Sequence, residues 1–341
     1  MSETIPDFGL GGRRPVPPRE LDWATCWLDV PPTIDTDVLL SDGETVTVSV
    51  PAECRNLVVP AGATLWLRRG CRLRVGTLHV RPGGTLAVAA GAEVAFVGLP
   101  FGANDPEQFG NGLLVEGKVV VRGTPKTPFI RLADYAIPGH VGLEVEGEPS
   151  GWNAGDRLAL PASGERDYYH RRRYADRLRI REEESDDPAM VLVDDTVRHY
   201  HLAGWPADEK GIYLPHVANL SRDVVFRSEN PDGIRGHFLA TGDAEVDIEY
   251  AEFRHMGRTT DAPVGPANRK GRYAVHLHHL RGGPRPGNEH RFRLVGCAVV
   301  DSRKWSIAIH DSHCGLVRDS VVCGAQHAGI VTEDGAPCGR C

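Results

Sequence analysis

Histidine and acidic residues cluster at the ends of three short apolar segments in the last quarter of the chain. Residues 271–279 read GRYAVHLHH, residues 305–312 read WSIAIHDS and residues 328–335 read AGIVTEDG. Imidazole and carboxylate groups serve as general acids, general bases and metal ligands. The three segments therefore mark the candidate functional site, whose members are His276, His278, His279, His310, Asp311, Glu333 and Asp334.

The first of these segments has the period of a β-strand, because apolar and polar side chains alternate along it. The pattern predicts that Val275 and Leu277 face a core. It places His276 and His278 on the opposite face, roughly 6–7 Å apart. His279 then begins a turn.

The three segments could stack as successive strands of one sheet. Neighbouring strands lie about 4.8 Å apart, so the polar ends of the segments would then form one row. The predicted row is His278, His310 and Glu333, a chain of imidazoles that ends in a carboxylate. Because the alignment of the last segment can slip by one residue, Asp334 competes with Glu333 for that position.

Three functions fit this cluster. In the first, paired carboxylates such as Asp311 and Asp334 cleave a glycosidic bond, and histidines tune their proton affinities. In the second, His276, His278 and an acidic residue hold a divalent metal, whereas nearby oxygen donors would suit calcium or manganese instead. In the third, the stacked polar side chains only satisfy one another. A row of stacked polar side chains without a function would need only small residues such as Thr, Asn and Ser. The cluster of histidines and carboxylates as a whole therefore favours a functional site.

Other residues near the cluster are candidates for binding a substrate. Arg269, Arg272 and Arg281 flank the histidines and would line a groove that receives an acidic glycan. His276, inside the cluster, and His237, about one coil earlier, are further candidates for this role.

An internal repeat predicts the elements that must position these residues. Residues 56–75 align with residues 77–96 at a constant offset of 21, so that Leu57 matches Leu78, and a partial copy follows at 113–121. Each unit shows strand alternation and a glycine at the turn, at a period typical of a parallel β-helix. A β-sandwich of tight hairpins is the alternative. The constant register favours the solenoid.

The sequence therefore predicts an all-β protein, a right-handed parallel β-helix with an N-terminal glycine-rich β-repeat domain. We predict an irregular arm at 1–30, the glycine-rich domain at 31–142, and a β subdomain or elaborated coils with a charged loop at 143–214. Coils of the β-helix follow at 215–341, with an incomplete C-terminal end. The segment 99–112 interrupts the repeat and should protrude as a loop.

Composition excludes several classes of function. The 341 residues include 39 Lys and Arg against 46 Asp and Glu, a formal net charge of -7 with no clustered basic face for a nucleic acid. We find no apolar run of signal-peptide or membrane-spanning length. The eight cysteines fit no compact disulfide framework, and Cys338 and Cys341 form a CxxC pair near the end of the chain. The compartment and the oligomeric state stay open.

The motifs together resemble a known family. The glycine-punctuated repeat at 38–123 resembles the eight-glycine domain of fibrocystin and of cell-surface hyaluronidases. The later segments GWNAGD, VANLSRDVV, GHF, AEFRHMG, GRYAVHLHH and IVTEDG follow the order seen in the cell-migration-inducing and hyaluronan-binding protein family and its transmembrane relatives. Ala274 stands where that family has proline, and the family's solenoid continues beyond the TEDG motif.

The resemblance implies a polysaccharide partner, with hyaluronan as the substrate class, calcium dependence and an extracellular location. It implies a glycoside hydrolase, while a lyase stays open. A non-catalytic adhesion or scaffold module is the alternative function. The early end after TEDG leads us to expect a fragment or a minimal relative of the family.

Overall fold

The structure is a computed structural model, and it describes residues 20–27, 30–163, 174–183, 185–202, 214–283 and 289–333. Within these ranges the chain forms 27 β-strands and no α-helix. None of the described segments is a helix long and apolar enough to cross a membrane. The expected all-β class is confirmed.

The chain divides into two compact units. Unit 1 comprises Met1–Thr124, Arg222–Arg318 and Val322–Cys341, and unit 2 comprises Pro125–Ser221 and Asp319–Val321. Most of unit 2 therefore comes from the middle of the sequence, and a short segment near the end of the chain joins it.

The first strands of unit 1 come from the glycine-rich repeat. They are β1 (Glu20–Asp22), β2 (Asp37–Leu39), β3 (Thr45–Val48), β4 (Ala52–Val59), β5 (Thr64–Leu67), β6 (Arg72–Val80), β7 (Thr85–Ala89), β8 (Glu93–Phe96), β9 (Gly112–Val115) and β10 (Lys118–Arg122).

Six strands follow in unit 2. They are β11 (Phe129–Arg131), β12 (Gly142–Glu144), β13 (Arg157–Leu160), β14 (Asp176–Arg179), β15 (Met190–Leu192) and β16 (His216–Asn219).

The remaining strands complete the sheets of unit 1. They are β17 (Val224–Ser228), β18 (His237–Thr241), β19 (Glu245–Glu249), β20 (Ala251–Arg254), β21 (Val275–His278), β22 (Phe292–Val295), β23 (Ala298–Val300), β24 (Ile307–His310), β25 (Gly315–Arg318), β26 (Val321–Cys323) and β27 (Ile330–Glu333).

Unit 1 is a parallel β-helix with three walls. The first wall is an eight-stranded sheet in the order β1-β3-β5-β7-β10-β19-β22-β25. The second and third walls share a 13-stranded sheet, because the long strands β4 and β6 run through both. The second wall continues through β8, β17, β20, β23 and β26, and the third through β9, β18, β21, β24 and β27.

The predicted repeat sets the register of these walls. Leu57 pairs with Leu78, 21 residues later, and Leu73 pairs with Val94 at the same offset. Gly83 stands at a turn with φ 82°, a backbone conformation that only glycine adopts without strain. The glycine-rich repeat and the later coils thus belong to one continuous solenoid, since β10 pairs with both β7 and β19.

The interior of the solenoid is an apolar column. Each strand turns alternate residues inward, and fully buried aromatic rings fill the middle of the column. Phe226 and Phe253 stack with their ring centroids 5.1 Å apart, and Phe238 meets Phe253 edge to face. This packing fixes the strands of the third wall, which carries the histidines.

The segment 99–112 does not simply protrude, and this prediction was wrong for its second half. Phe109 is buried with Leu114 and Leu239, which are outward-facing residues of the third wall. The buried carboxylate of Asp105 accepts hydrogen bonds from the backbone N–H groups of Phe109, at 2.7 Å, and of Gly110, at 2.8 Å. The segment therefore folds back and covers part of the wall beside the histidines.

Unit 2 is antiparallel. Its sheets have the orders β11-β16-β13-β14 and β12-β15, around a separate core that includes Leu143, Leu158 and Val217. Trp152 packs against this core and donates its indole N–H to the carbonyl of Thr127 at 2.7 Å, so its ring serves packing. Three other aromatic residues of the middle segment, Trp205, Tyr168 and Tyr169, lie outside the described residues.

A buried carboxylate organises the histidine pair of unit 2. Asp176 accepts hydrogen bonds from the His199 ring at 3.0 Å and from the His201 ring at 2.9 Å. It also accepts from the backbone N–H groups of Arg198 and His199, both at 3.0 Å. One carboxylate thus holds both imidazoles of the pair by hydrogen bonds.

Replacing Asp176 with asparagine should destabilise the protein most at neutral pH. Burial opposes ionisation of this carboxyl, but the hydrogen bonds outweigh burial and lower its pKa below the ordinary value. We expect a loss of about 2–3 kcal/mol at pH 7, because hydrogen bonds to a charged group are lost. Because the folded pKa is lowered, the advantage of the wild type persists above the unfolded pKa, about 3.9, and shrinks as the pH falls below it.

Urea unfolding at pH 7, 5 and 3 measures this effect, with the exposed Asp195→Asn as the matched control. An equal stability difference at all three pH values would show that the Asp176 charge does not stabilise the fold.

Two residues of unit 1 that flank unit 2 in the sequence contact each other. The hydroxyl of Thr124 donates to Asp223 at 2.5 Å, and the Thr124 N–H donates to the same carboxylate at 2.9 Å. The last residue before unit 2 therefore contacts a residue just after it.

Candidate functional site

The third wall places the predicted row in register. His278 pairs with His310, and His310 pairs with Glu333. The predicted alignment is confirmed, and Glu333 occupies the position for which two carboxylates competed. Asp334 lies outside the described residues.

Alternation along β21 works as expected. Val275 and Leu277 are fully buried in the apolar column, so His276 and His278 face outward. His276 is nevertheless only 4% exposed, whereas His278 and His310 are half-buried. The outer surface of the wall is thus closed over His276 and opens toward His278 and His310.

Three imidazoles converge on this surface. One ring nitrogen from each of His276, His278 and His310 lies within 4.8 Å of the other two. The ring centroid of His278 lies 4.9 Å from that of His276 and 4.8 Å from that of His310. In the part of the chain that the structure describes, this is the one group of three or more His, Cys, Asp or Glu side chains close enough to hold a metal ion.

His276 is oriented by the backbone. Its Nδ1 lies 2.8 Å from the carbonyl oxygen of Gly271, which can only accept, so Nδ1 carries the proton. Its Nε2 is buried and has no hydrogen-bond partner. The neighbouring Tyr273 hydroxyl is also buried without a partner, and burial raises the pKa of Tyr273 to about 12. The Nε2 lone pair of His276 is therefore available to a ligand.

The electrostatics of the cluster favour neutral rings. Burial, and then the proximity of His278, hold the pKa of His276 well below its ordinary value. Burial first, and then neighbouring His279 and His310, lower the pKa of His278 to about 4. At neutral pH these two side chains are uncharged, and their lone pairs can accept a proton or bind a metal.

Asp311 is held as a carboxylate. Its side chain forms an ion pair with Arg281, and this hydrogen bond is the main reason that the pKa of Asp311 is lowered. His313 lies 3.6 Å from the other oxygen of the same carboxylate. Asp311 therefore suits the role of a base or nucleophile and not that of a general acid.

Glu333 closes the row beside a cation. The ammonium group of Lys270 lies 3.5 Å from its carboxylate, and both side chains remain partly accessible. The open part of the site therefore presents the carboxylates of Glu333 and Asp311 and two cations, Lys270 and Arg281.

Two arginines predicted to bind substrate instead hold the segment that covers the wall. Arg272 is buried, donates to the carbonyls of Glu107 and Gln108, at 2.7 and 3.1 Å, and places its guanidinium over the ring of Phe109. Arg269 donates to the carbonyl of Pro106 at 2.7 Å and lies 3.4 Å from the Glu107 carboxylate. The burial of Arg272 contradicts its predicted contact with a substrate, and Arg281 is the exposed arginine at the site.

His237, which was also predicted to bind substrate, does not reach the surface. It is fully buried, and its Nδ1 lies 2.9 Å from the guanidinium of Arg258 and 3.1 Å from the carbonyl of Asn111. Burial first, and then the charges of Arg258 and Arg272, lower the pKa of His237 well below its ordinary value. A neutral, buried imidazole under the 99–112 segment has no surface for a substrate.

Sequence reasoning missed one aromatic residue at the site. Trp305 is half-buried, and its ring centroid lies 4.7 Å from that of Tyr273. The ammonium group of Lys304 lies 5.4 Å from the same ring. Trp305 lies just before β24, in the segment already selected for His310, and this position was the signal in the sequence that could have identified it.

The residues present do not fit calcium. Calcium takes six to eight oxygen ligands, whereas the one candidate group among the described residues consists of three imidazoles. The six described cysteines are free and none of them belongs to this group. The calcium dependence that the family resemblance implies thus has no counterpart in the described part of the chain.

Fold and site together define a parallel β-helix protein with a histidine cluster on one wall. No protein-family model matches the chain, and no curated protein matches it. Among solved structures, it is similar to the Gp54 tailspike of Acinetobacter baumannii bacteriophage AP22, solved in complex with A. baumannii capsular saccharide. The identity is 12% and the TM-score 0.24, over 80% of this chain and 41% of the tailspike. The chain thus spans less than half of that tailspike.

Proposed function

We propose that this protein binds an acidic polysaccharide on the third wall and cleaves it in the manner of a hyaluronidase. The observation that carries the proposal is the row of His278, His310 and Glu333, which stand in register on the outer face of the wall. Imidazoles beside a carboxylate are suited to proton transfer.

The shape of the wall suits a polymer. Successive coils repeat the same kind of position about every 4.8 Å, so a chain of sugar rings meets a series of neighbouring groups along the wall. Trp305 offers a half-exposed indole beside the histidines, and an aromatic face packs well against the C–H groups of a pyranose.

Local charge supports an acidic sugar despite the net charge of -7. Lys270 and Arg281 flank the imidazoles, and both are well exposed. Each is paired with a carboxylate of the site, and a uronate group would compete for the same cation. This arrangement favours a glycosaminoglycan-like partner.

The available groups support two reaction classes. In hydrolysis, the ionised Asp311 acts as base or nucleophile, and Glu333 or Asp334 takes the role of general acid. In elimination, an imidazole removes the proton beside the uronate carboxylate, a C=C bond forms, and the glycosidic oxygen leaves with a proton supplied by an acid of the site. The two classes differ in their products, since elimination leaves an unsaturated sugar.

Cleavage of hyaluronan should depend on both carboxylates. We expect that Glu333→Gln and Asp311→Asn each slow the shortening of hyaluronan by about 100-fold or more, the usual effect of removing an acid or base. Size analysis of the polymer after incubation measures this, and ultraviolet absorbance of the products distinguishes elimination from hydrolysis. Asp42→Asn, an exposed change in the first coils, is the matched control. If the wild type shortens neither hyaluronan nor related glycans, the enzymatic proposal fails.

A second candidate function is a non-catalytic carbohydrate-binding or adhesion module. It is favoured by the engagement of both described carboxylates, Glu333 with Lys270 and Asp311 with Arg281. Binding on a glycan array without cleavage, weakened by Arg281→Ala, would support this alternative.

A further inference from the structure

We propose that His276, His278 and His310 form a binding site for one divalent transition-metal ion of the zinc class. This inference goes beyond the proposed function and does not depend on it, because it concerns the affinity of three side chains for an ion and not the fate of a glycan.

The donor atoms are already gathered. Three ring nitrogens lie within 4.8 Å of one another, on two adjacent strands of a rigid wall. Zinc binds imidazole nitrogen at about 2.0–2.1 Å, so each donor needs to move by only about 1 Å to reach a shared ion. His278 and His310 are half-buried, so their rings are less confined than that of His276 and can turn toward a shared ion.

His276 is preorganised as a ligand. Its Nδ1–H donates to the carbonyl of Gly271 at 2.8 Å, which fixes the ring and the tautomer. Histidine ligands of metals almost always have such a partner on the second nitrogen. The remaining Nε2 is buried without a hydrogen-bond partner in a side chain that is only 4% exposed. A buried lone pair with no donor is the independent observation that indicates an absent ligand.

The three histidines differ in burial, and this difference indicates a site that is open on one side. His276 closes one side, while His278 and His310 remain half exposed. Three protein ligands with one accessible side are typical of zinc sites that also bind water or substrate, whereas closed structural sites use four protein ligands. A sugar hydroxyl or carboxylate on the wall would lie on the accessible side.

The donor type selects the metal. Imidazole suits zinc, copper, nickel and iron, whereas calcium and magnesium require oxygen. We therefore expect zinc, and cobalt as its spectroscopic substitute, to bind far more tightly than calcium.

Titration of the chelator-treated full chain with Co²⁺ and Zn²⁺ tests the proposal, read by visible absorption and by calorimetry. We expect one ion per chain with micromolar or tighter affinity. His278→Ala and His310→Ala should each weaken binding by about 100-fold or more, and His140→Ala, an exposed histidine of unit 2, should leave it unchanged. His276→Ala is less informative because that side chain is buried and the variant could misfold.

Two outcomes would overturn the proposal. One is a zinc affinity no tighter than millimolar, and the other is tight binding that survives both His278→Ala and His310→Ala. A chain with Cys338→Ser and Cys341→Ser separates thiolate binding from imidazole binding: retained affinity supports the histidine site, and lost affinity refutes it. Because no glycan is present, failure here is distinct from failure to cleave hyaluronan.

Discussion

Replacing Arg258 with methionine should lower the free energy of unfolding of the protein by about 3 kcal/mol, because several buried carbonyls lose a charged donor. Arg258 is half-buried, and its guanidinium donates to the carbonyls of Gly110 at 2.8 Å, Asn111 at 3.1 Å and Arg235 at 2.9 Å, and also to that of Gln108. Burial is the main reason that its pKa is lowered to about 9, which still leaves it charged at neutral pH. Methionine keeps the length of the side chain but donates nothing.

The same substitution, Arg258→Met, should loosen the 99–112 segment that covers part of the third wall. Phe109, in the second half of the 99–112 segment, packs against the wall. Arg258 and Arg272 hold carbonyls of the same segment by hydrogen bonds. We expect limited proteolysis within this segment to accelerate, together with the shift in urea unfolding. Arg122→Met, which removes a surface ion pair with Asp247, is the control and should cost less than about 1 kcal/mol. Equal stability losses in the two variants would refute the role assigned to Arg258.

Replacing Lys126 with methionine should destabilise unit 2 by about 3–5 kcal/mol, because it leaves a buried carboxylate without its cation. The Lys126 ammonium lies 2.6 Å from Asp156, and the two side chains are 8% and 12% exposed. Asp156 also accepts from the side chain of Asn219 at 2.8 Å and from the N–H of Asn153 at 3.1 Å. These neutral donors do not replace the lost charge.

A double-mutant cycle isolates this effect. Asp156→Asn removes the charge that Lys126→Met strands, so the double variant should be more stable than Lys126→Met alone. Lys118→Met, which removes a cation 3.5 Å from Glu245 at the surface, is the matched control. Thermal unfolding measures the four proteins of the cycle and the control. If Asp156→Asn gives no recovery, the buried ion pair is not what stabilises unit 2.

The sequence predicts the solenoid well because its information is local and periodic. The pairing of Leu57 with Leu78 follows from one offset, and the pairing of His278 with His310 follows from strand alternation. The pairing of His310 with Glu333 was one of two registers that the sequence allowed. A period of two along each strand and a constant coil length together determine which side chains share a row.

The sequence does not predict what lies on top of a row. Arg272 and His237 occupy outward positions that alternation makes accessible, yet both are buried because the 99–112 segment folds back over the wall. That covering depends on Arg258 finding carbonyls about 150 residues away in sequence, a contact with no periodic signature. For the same reason, the alignment into rows does not reveal that His276 joins His278 and His310.

The contact between Thr124 and Asp223 bears on how such a protein is assembled. Because Thr124 and Asp223 are in contact, the chain leaves the solenoid before Pro125 and rejoins it after Ser221 at adjacent points. The helical path of the backbone continues from β10 to β17 as though nothing intervened. A junction of this kind is a permissive point of insertion, where one module can be gained, lost or exchanged while the coils that carry the histidines keep their register.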